Sequence, residues 1–206
     1  VRLTVDLETE QGIKAVEELV EVAHGKLTVY VNGRLLEEHA GKLGFLRKCD
    51  VQLHGYNHIN LGLIGVCRQK REIETAKRVY NAFFNSSPLG WRSPYLGFNT
   101  DTLRLLHEAG FLWDSSYHKS SITWLRRIQS PIYLIPIDHK HFIEGSDGTT
   151  LLHCYEVTET LLEQVRHLFS SGMPFQRHEE VYTSAVRRRC FKGLFDDYVQ
   201  TFEVAW

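Results

Sequence analysis

Val51-Gln52-Leu53-His54-Gly55-Tyr56-Asn57-His58 is the stretch from which the rest of the chain can be read. A short β-favouring apolar run ends on a histidine, and a second histidine follows four residues later. The chain holds 11 histidines in 206 residues, so this spacing alone carries little weight. Its position carries more. In parallel α/β folds and barrels the chemistry gathers at the carboxyl ends of strands, and His54 stands where such a strand stops.

Outward from that strand, apolar runs alternate with helical patterns. Leu3-Thr4-Val5 predicts a strand that ends in Asp6-Leu7-Glu8, where period 2 turns both carboxylates to one side. Residues 10–23 carry a helical stripe of Ile13, Val16, Leu19, Val20 and Ala23, with Gly25 placed to end it. Leu27 to Val31 is the next predicted strand, turned by Asn32-Gly33 and followed by a helix bearing Leu35, Leu36, Ala40, Leu43 and Leu46. After His58, residues 59–68 fit no clear pattern, and Lys70 to Phe84 reads as a helix. Trp91-Arg92-Ser93-Pro94-Tyr95 reads as a short strand entering a loop stiffened by Pro94. Asn99 or Thr100 caps a helix that stops at Gly110, and Phe111-Leu112-Trp113 predicts a strand ending at Asp114-Ser115-Ser116. Further strands are expected at Ile132 to Ile137 and Thr150 to His153, then a helix from Thr158 through Phe169. Pro174 to Arg177 is expected as a short strand delivering His178, before a helix from Glu180 to Tyr198 and a closing strand from Thr201 to Trp206. Short buried strands alternating with helices predict a parallel sheet or barrel.

A hydrophobic fraction of 43% supports one sizeable core, and residues 1–206 are read as a single domain. The 24 basic and 25 acidic residues nearly cancel, so no field of one sign steers the chain to nucleic acid. Arg187-Arg188-Arg189 reads as the solvated face of a helix. Cys49, Cys67, Cys154 and Cys190 form no Cys-x-x-Cys pair and are expected as free thiols. No apolar run is long enough for a transmembrane helix. The chain starts at Val1 without a signal-peptide pattern, which favours a cytoplasmic location and leaves an upstream leader open. The oligomeric state is not legible.

The predicted strand ends deliver Asp6 and Glu8, His54 and His58, Arg92, Asp114, and His178. These are metal ligands, acids, bases and one cation from five places in the chain. Together they resemble the motifs of the polysaccharide deacetylases of carbohydrate esterase family 4, the NodB-homology domain. Leu3-Thr4-Val5-Asp6-Leu7-Glu8 looks like the first motif, His54-Gly55-Tyr56-Asn57-His58 the second and Arg92-Ser93-Pro94-Tyr95 the third. Asp114-Ser115-Ser116 resembles the fourth, and His178 the histidine of the fifth.

The resemblance implies a distorted (β/α) barrel of about seven parallel strands with outer helices. It also implies a divalent metal, most often zinc, held by His54, His58 and one carboxylate, a ligand set that suits zinc. The expected substrate is an N-acetylated sugar or polysaccharide, cleaved at its amide to release acetate. Where many members carry adjacent aspartates, this chain has Leu7 between two acids. Asp6 is therefore read as the base and Glu8 as the metal ligand, with the reverse left open. Arg92 is expected to orient Asp6, His178 to protonate the leaving amine with Asp114 holding it charged, and the Pro94-Tyr95 turn to aid the oxyanion through the Tyr95 N–H. His153, which also ends a strand, is the second candidate for the acid. Two other readings stand beside this one: an amidohydrolase of the same fold acting on a small amide, ureide or imide, with His139, His141 and Glu144 narrowing its pocket, and a catalytically silent carbohydrate-binding domain. Tyr56, Trp91, Tyr95, Trp113 and Trp124 are the aromatics available to stack on a sugar.

Overall fold

Seven short parallel strands in a computed structural model curl into a half-barrel with helices packed outside it. The structure describes residues 1–118, 130, 132–140 and 148–192, with side chains up to residue 186. The strands are β1 (Arg2–Leu7), β2 (Thr28–Val31), β3 (Asp50–Leu53), β4 (Gly90–Trp91), β5 (Trp113–Asp114), β6 (Tyr133–Leu134) and β7 (Thr149–His153). Their spatial order is β6-β5-β4-β3-β2-β1-β7, and every pair is parallel. Beyond β6 the chain runs on to isolated bridges, Ile137 with His118 and His139 with Thr150. This segment therefore reaches the free edge of β7 and carries the curl towards closure.

The described helices are α1 (Ile13–Val22), α2 (Gly33–Glu38), α3 (Val66–Phe84), α4 (Thr100–Glu108), α5 (Glu159–Ser170) and α6 (His178–Lys192). Local chemistry sets several of their ends. Asn32 accepts from the N–H groups of Arg34 and Leu35 at the start of α2, Asn99 and Thr102 form a capping box on α4, and Thr158 caps α5. After α1 the chain reverses at Gly25, whose φ is +70° and whose missing Cβ would lie 2.1 Å from the Lys48 carbonyl oxygen. Only glycine fits there.

Strand alternation divides the side chains into two populations. Leu3, Val5, Leu7, Val29, Val31, Val51, Leu53 and Leu152 face outward and join the core under the helices with Val16, Leu19, Leu36, Ile73, Leu106 and Leu162. The inner face is different. In register across the sheet stand His153, Asp6, Tyr30 and Gln52, a polar row where many barrels place branched apolar residues. Gln52 spends its oxygen on the N–H groups of Leu89 and Gly90, which fixes the entry of β4 beside β3.

The structure departs from the sequence reading in a few places. Residues 59–68 form a 3-10 turn at Leu61–Leu63 and the first turn of α3. The second helix stops at Glu38 and continues as 3-10 turns at Ala40–Lys42 and Gly44–Lys48. Residues 174–177 are not a strand; Val1 donates to the Pro174 carbonyl and Gln176 donates to Val1. That segment is tied to the amino end of β1, so α6 starts at the opposite end of the barrel from Asp6. Cys49, Cys67 and Cys154 are free. No described helix is long and apolar enough to cross a membrane. Trp124, His141, Glu144 and the expected strand from Thr201 to Trp206 lie outside the described residues.

Candidate active site

At the carboxyl ends of β1 and β3 two carboxylates meet two imidazoles. Period 2 along β1 turns Asp6 inward, and Glu8 follows one step beyond the strand on the same side. His54 stands directly after β3 and is buried, with its backbone N–H on the Val31 carbonyl. Two left-handed residues then bend the loop, Gly55 at φ +74° and His58 at φ +54°, and the bend returns His58 to the strand ends. Glu8 Oε1 lies 3.3 Å from His54 Nε2 and 3.1 Å from His58 Nε2. Burial raises the Glu8 pKa, yet the hydrogen bonds and positive charge of the two histidines hold it well below the usual carboxylate range.

These atoms fit a metal cation on their own chemistry. His54 Nδ1 donates to the Arg92 carbonyl at 2.9 Å, which orients the ring and leaves Nε2 facing acids. Nε2 meets Glu8 Oε1 and, at 3.7 Å, Asp6 Oδ2. Lone pairs brought together in this way need a positive charge among them, a proton or a cation. Glu8, His54 and His58 each offer one ligand atom, all within 4.8 Å of one another. Two nitrogens and one carboxylate oxygen are a donor set suited to zinc with positions left open.

Arg92 ties this cluster to the barrel. Its side chain is fully buried, and Nη1 donates to Asp6 Oδ1 at 2.7 Å and to Thr4 Oγ1 at 2.9 Å. Nε reaches the Ser115 carbonyl and Nη2 reaches Ser115 Oγ. The guanidinium carbon lies 4.0 Å from the centre of the Tyr30 ring, within cation–π range. One residue thus fixes Asp6 with its side chain and His54 with its carbonyl.

Of the nine residues singled out in the sequence, Asp6, Glu8, His54, His58 and Arg92 come together directly. Pro94 packs at Gly55, where an added Cβ would meet its ring at 2.9 Å. Tyr95 stands at the rim with φ +58°, 68% exposed, its ring 4.8 Å from that of His58. Asp114 is completely buried behind them. It accepts from the N–H and hydroxyl of Ser116, whose Oγ in turn accepts from the Ser93 N–H, and burial pushes its pKa up to about 7.

His178 does not reach the cluster. It lies at the amino ends of the strands: its N–H donates to Thr28 Oγ1, Nδ1 is 2.7 Å from the Tyr30 hydroxyl, and Nε2 is 3.4 Å from Thr149 Oγ1. Burial, then Arg92 and Arg2, drive its pKa well below the ordinary value. Asp114 supplies none of its hydrogen bonds. A neutral, enclosed histidine at the far end of the barrel cannot serve as the expected acid.

His153, the second candidate, does lie beside the two acids. It is in register with Asp6, and Asp6, Glu8 and His153 bring their polar atoms within 4.8 Å of one another. Its Nδ1 is 3.0 Å from Glu156 Oε2, and the exposed Tyr155 ring stacks on it at 5.1 Å. The signal was in the sequence: Leu151-Leu152-His153 ends a strand just as Leu3-Thr4-Val5-Asp6 does.

The structure thus combines a parallel half-barrel with a two-histidine, one-carboxylate cluster that could hold a metal ion, beside an arginine-held aspartate. The polysaccharide deacetylase family model matches residues 1–112, more than half of the chain, and the chain belongs to that family. Membership supports a deacetylase-type carbohydrate esterase. A family 4 carbohydrate esterase from Bacillus anthracis superposes with a TM-score of 0.66 at 15% identity, over 89% of this chain and 82% of its own. A family 4 carbohydrate esterase from Streptomyces lividans, solved with acetate, gives 0.63 at 13% identity over 85% and 90%. A family 4 pseudoenzyme, also from Bacillus anthracis, gives 0.60 at 12% identity over 88% of this chain and 65% of its own, so this chain spans about two thirds of that relative. At such identities the likeness concerns the fold. No curated protein matches the chain.

Proposed function

We propose that this protein is a metal-dependent hydrolase that removes acetyl groups from the nitrogen of amino sugars in an oligo- or polysaccharide, releasing acetate. The observation that carries the reading is the convergence of Glu8, His54 and His58 beside an Asp6 already held by Arg92. Glu8, His54 and His58 would hold the metal, with zinc the ion favoured by the donor set. When bound there, it would polarise the acetyl carbonyl and make a neighbouring water more acidic.

The chain's own groups supply the proton traffic. Asp6 takes the proton of the attacking water with Oδ2, because Oδ1 is committed to Arg92. Arg92 keeps that carboxylate in one orientation at no cost of reorganisation during the reaction. The Tyr95 N–H, on the rim beside His58, is assigned to the developing oxyanion. His153 delivers a proton to the departing nitrogen. Glu156 accepts from its Nδ1, which fixes the ring and leaves Nε2 to face the substrate. Tyr95 and Tyr155, both largely exposed, stand beside His58 and His153 and are available to the apolar faces of a sugar.

The test is acetate release from N-acetylglucosamine oligomers by the purified chain, with its metal content measured in parallel. Activity that stops on chelation and returns with zinc is expected. Ammonia or ring-opened products from small amides, ureides or imides, without acetate from any saccharide, would overturn the substrate class. A fully loaded protein that turns over none of these would establish a silent binding domain.

A further inference from the structure

The loop that carries His58 is gripped by a buried acid from outside the barrel. Glu72, on α3, is 8% exposed. Its Oε2 accepts from the Asn57 N–H at 3.0 Å, and its Oε1 accepts from Asn57 Nδ2. Among the described residues it has no cationic partner. An enclosed carboxylate without a counter-charge is costly, and both of its hydrogen bonds go to the residue just before His58.

The rest of the loop is pinned as well. The N–H groups of Gly33 and Arg34, opening α2, donate to the Gly55 and Tyr56 carbonyls at 2.8 and 3.1 Å. The Tyr56 hydroxyl donates to Glu37. One turn before Glu72, the buried Gln69 donates to the Ile64 carbonyl and accepts from Thr102. Without Glu72, the segment between Tyr56 and Ile64 loses the anchor nearest its strained point. His58 sits at φ +54°, a conformation that costs a non-glycine residue of order 1 kcal/mol or more unless its surroundings impose it.

We infer that Glu72 is a positioning residue for the metal site: by clamping Asn57 it holds His58 in its left-handed conformation and so presets the third ligand. The inference rests on reading Glu8, His54 and His58 as the ligand set. It concerns metal affinity and does not depend on the substrate. Groups that hydrogen-bond a metal ligand directly contribute about 10- to 100-fold in metal affinity, and Glu72 acts on His58 through the adjoining Asn57.

The experiment measures zinc affinity by competition with a chromophoric chelator, using the whole chain freed of metal, together with circular dichroism and thermal unfolding of the metal-free form. Glu72→Ala is expected to weaken zinc binding by about 10- to 100-fold while the protein remains folded at the assay temperature. Glu72→Gln, which keeps one acceptor, should recover part of that loss. Asn57→Ala removes the side-chain half of the clamp and should weaken zinc by about tenfold; it decides the matter if Glu72→Ala does not fold. His58→Ala is the control. Unchanged affinity in His58→Ala would overturn the ligand reading itself. Lost affinity in His58→Ala with wild-type affinity in folded Glu72→Ala, or in Asn57→Ala, would overturn the positioning role alone, whatever happened to the melting temperature.

Discussion

Replacing His153 and His178 separately should divide catalysis from stability. His153→Ala removes a half-exposed imidazole at the barrel mouth; Glu156 loses one donor but keeps the backbone N–H of residue 153, and the Tyr155 ring loses its stack. A positioned general acid contributes about 10²- to 10⁴-fold in rate, so kcat for acetate release should fall by that factor while the melting temperature hardly moves. His178→Ala acts on a fully enclosed site. It strands the Tyr30 hydroxyl, a loss of about 1–3 kcal/mol for an unsatisfied buried donor, and opens a cavity the size of an imidazole. The total should be about 3–5 kcal/mol, a large share of a typical stability of 5–15 kcal/mol, with kcat per folded molecule within a few-fold of wild type. The pH profile gives a second signature. The folded-state pKa of His178 is depressed below 6.5, so its contribution is present above that pH and is lost as pH falls and the unfolded chain takes up the proton. His178→Gln should flatten this acid limb in urea unfolding measured from pH 5 to 8. Activity abolished in a folded, unchanged-melting His178→Ala, with His153→Ala fully active, would refute the assignment.

The other expectations follow from the same geometry. Asp6→Asn should retain zinc through dialysis yet lose about 10²- to 10⁴-fold in kcat, whereas Glu8→Gln should lose tight zinc binding; the opposite pattern in a metal assay would exchange the two acids. Asp114 has its pKa raised from 3.8 to about 7 by burial, so its contribution is present below the unfolded value and fades as pH rises towards 7. Asp114→Asn should therefore remove a loss of stability between pH 4 and 7 of the order of 4 kcal/mol, read as a urea midpoint that no longer falls across that range. A midpoint just as pH-dependent in Asp114→Asn would assign the slope to other groups.

Period and order carried most of the fold. Leu3 to Leu7, Leu27 to Val31 and Val51 to Leu53 announce strands by their alternation and β-branching, and the stripes at Ile13-Val16-Leu19-Val20 and Ile73-Ala76-Tyr80 announce helices. The Glu8, His54 and His58 cluster was legible because Glu8 and His54 directly follow two of these strands and His58 stands four residues beyond His54. His178 was misplaced for a physical reason. Pro174 to Arg177 is too short to show alternation, and a histidine opening a helix looks the same at either end of a barrel. What settles its position is the pairing of Gln176 with Val1, a contact across the whole chain. The family match stops at residue 112, before Asp114, His153 and His178, so it does not bear on where these three stand. Nor does the sequence disclose that Tyr30 lies under Arg92, because inward neighbours on separate strands depend on register.

Whether such a chain catalyses or only binds is a question that the burial of charge helps to answer. Arg92, Asp6 and His54 are each no more than 1% exposed, and an ion pair removed from water is commonly no more stabilising than apolar residues of the same volume. A domain that merely holds a polysaccharide needs ring faces and hydrogen-bonding groups at its rim, which Tyr95 and Tyr155 already offer. It has no use for a guanidinium fixed by Thr4, Asp6 and Ser115 beneath that rim, nor for a carboxylate with one oxygen committed to Arg92 and the other turned to His54. Those arrangements hold the Asp6 carboxylate and the His54 ring in single orientations, as the proposed proton transfer requires. The same logic extends to Glu72, whose buried carboxylate lacks a counter-ion among the described residues and ends on the residue before His58. Polar groups placed at such expense under one end of the sheet are those expected of a catalytic centre.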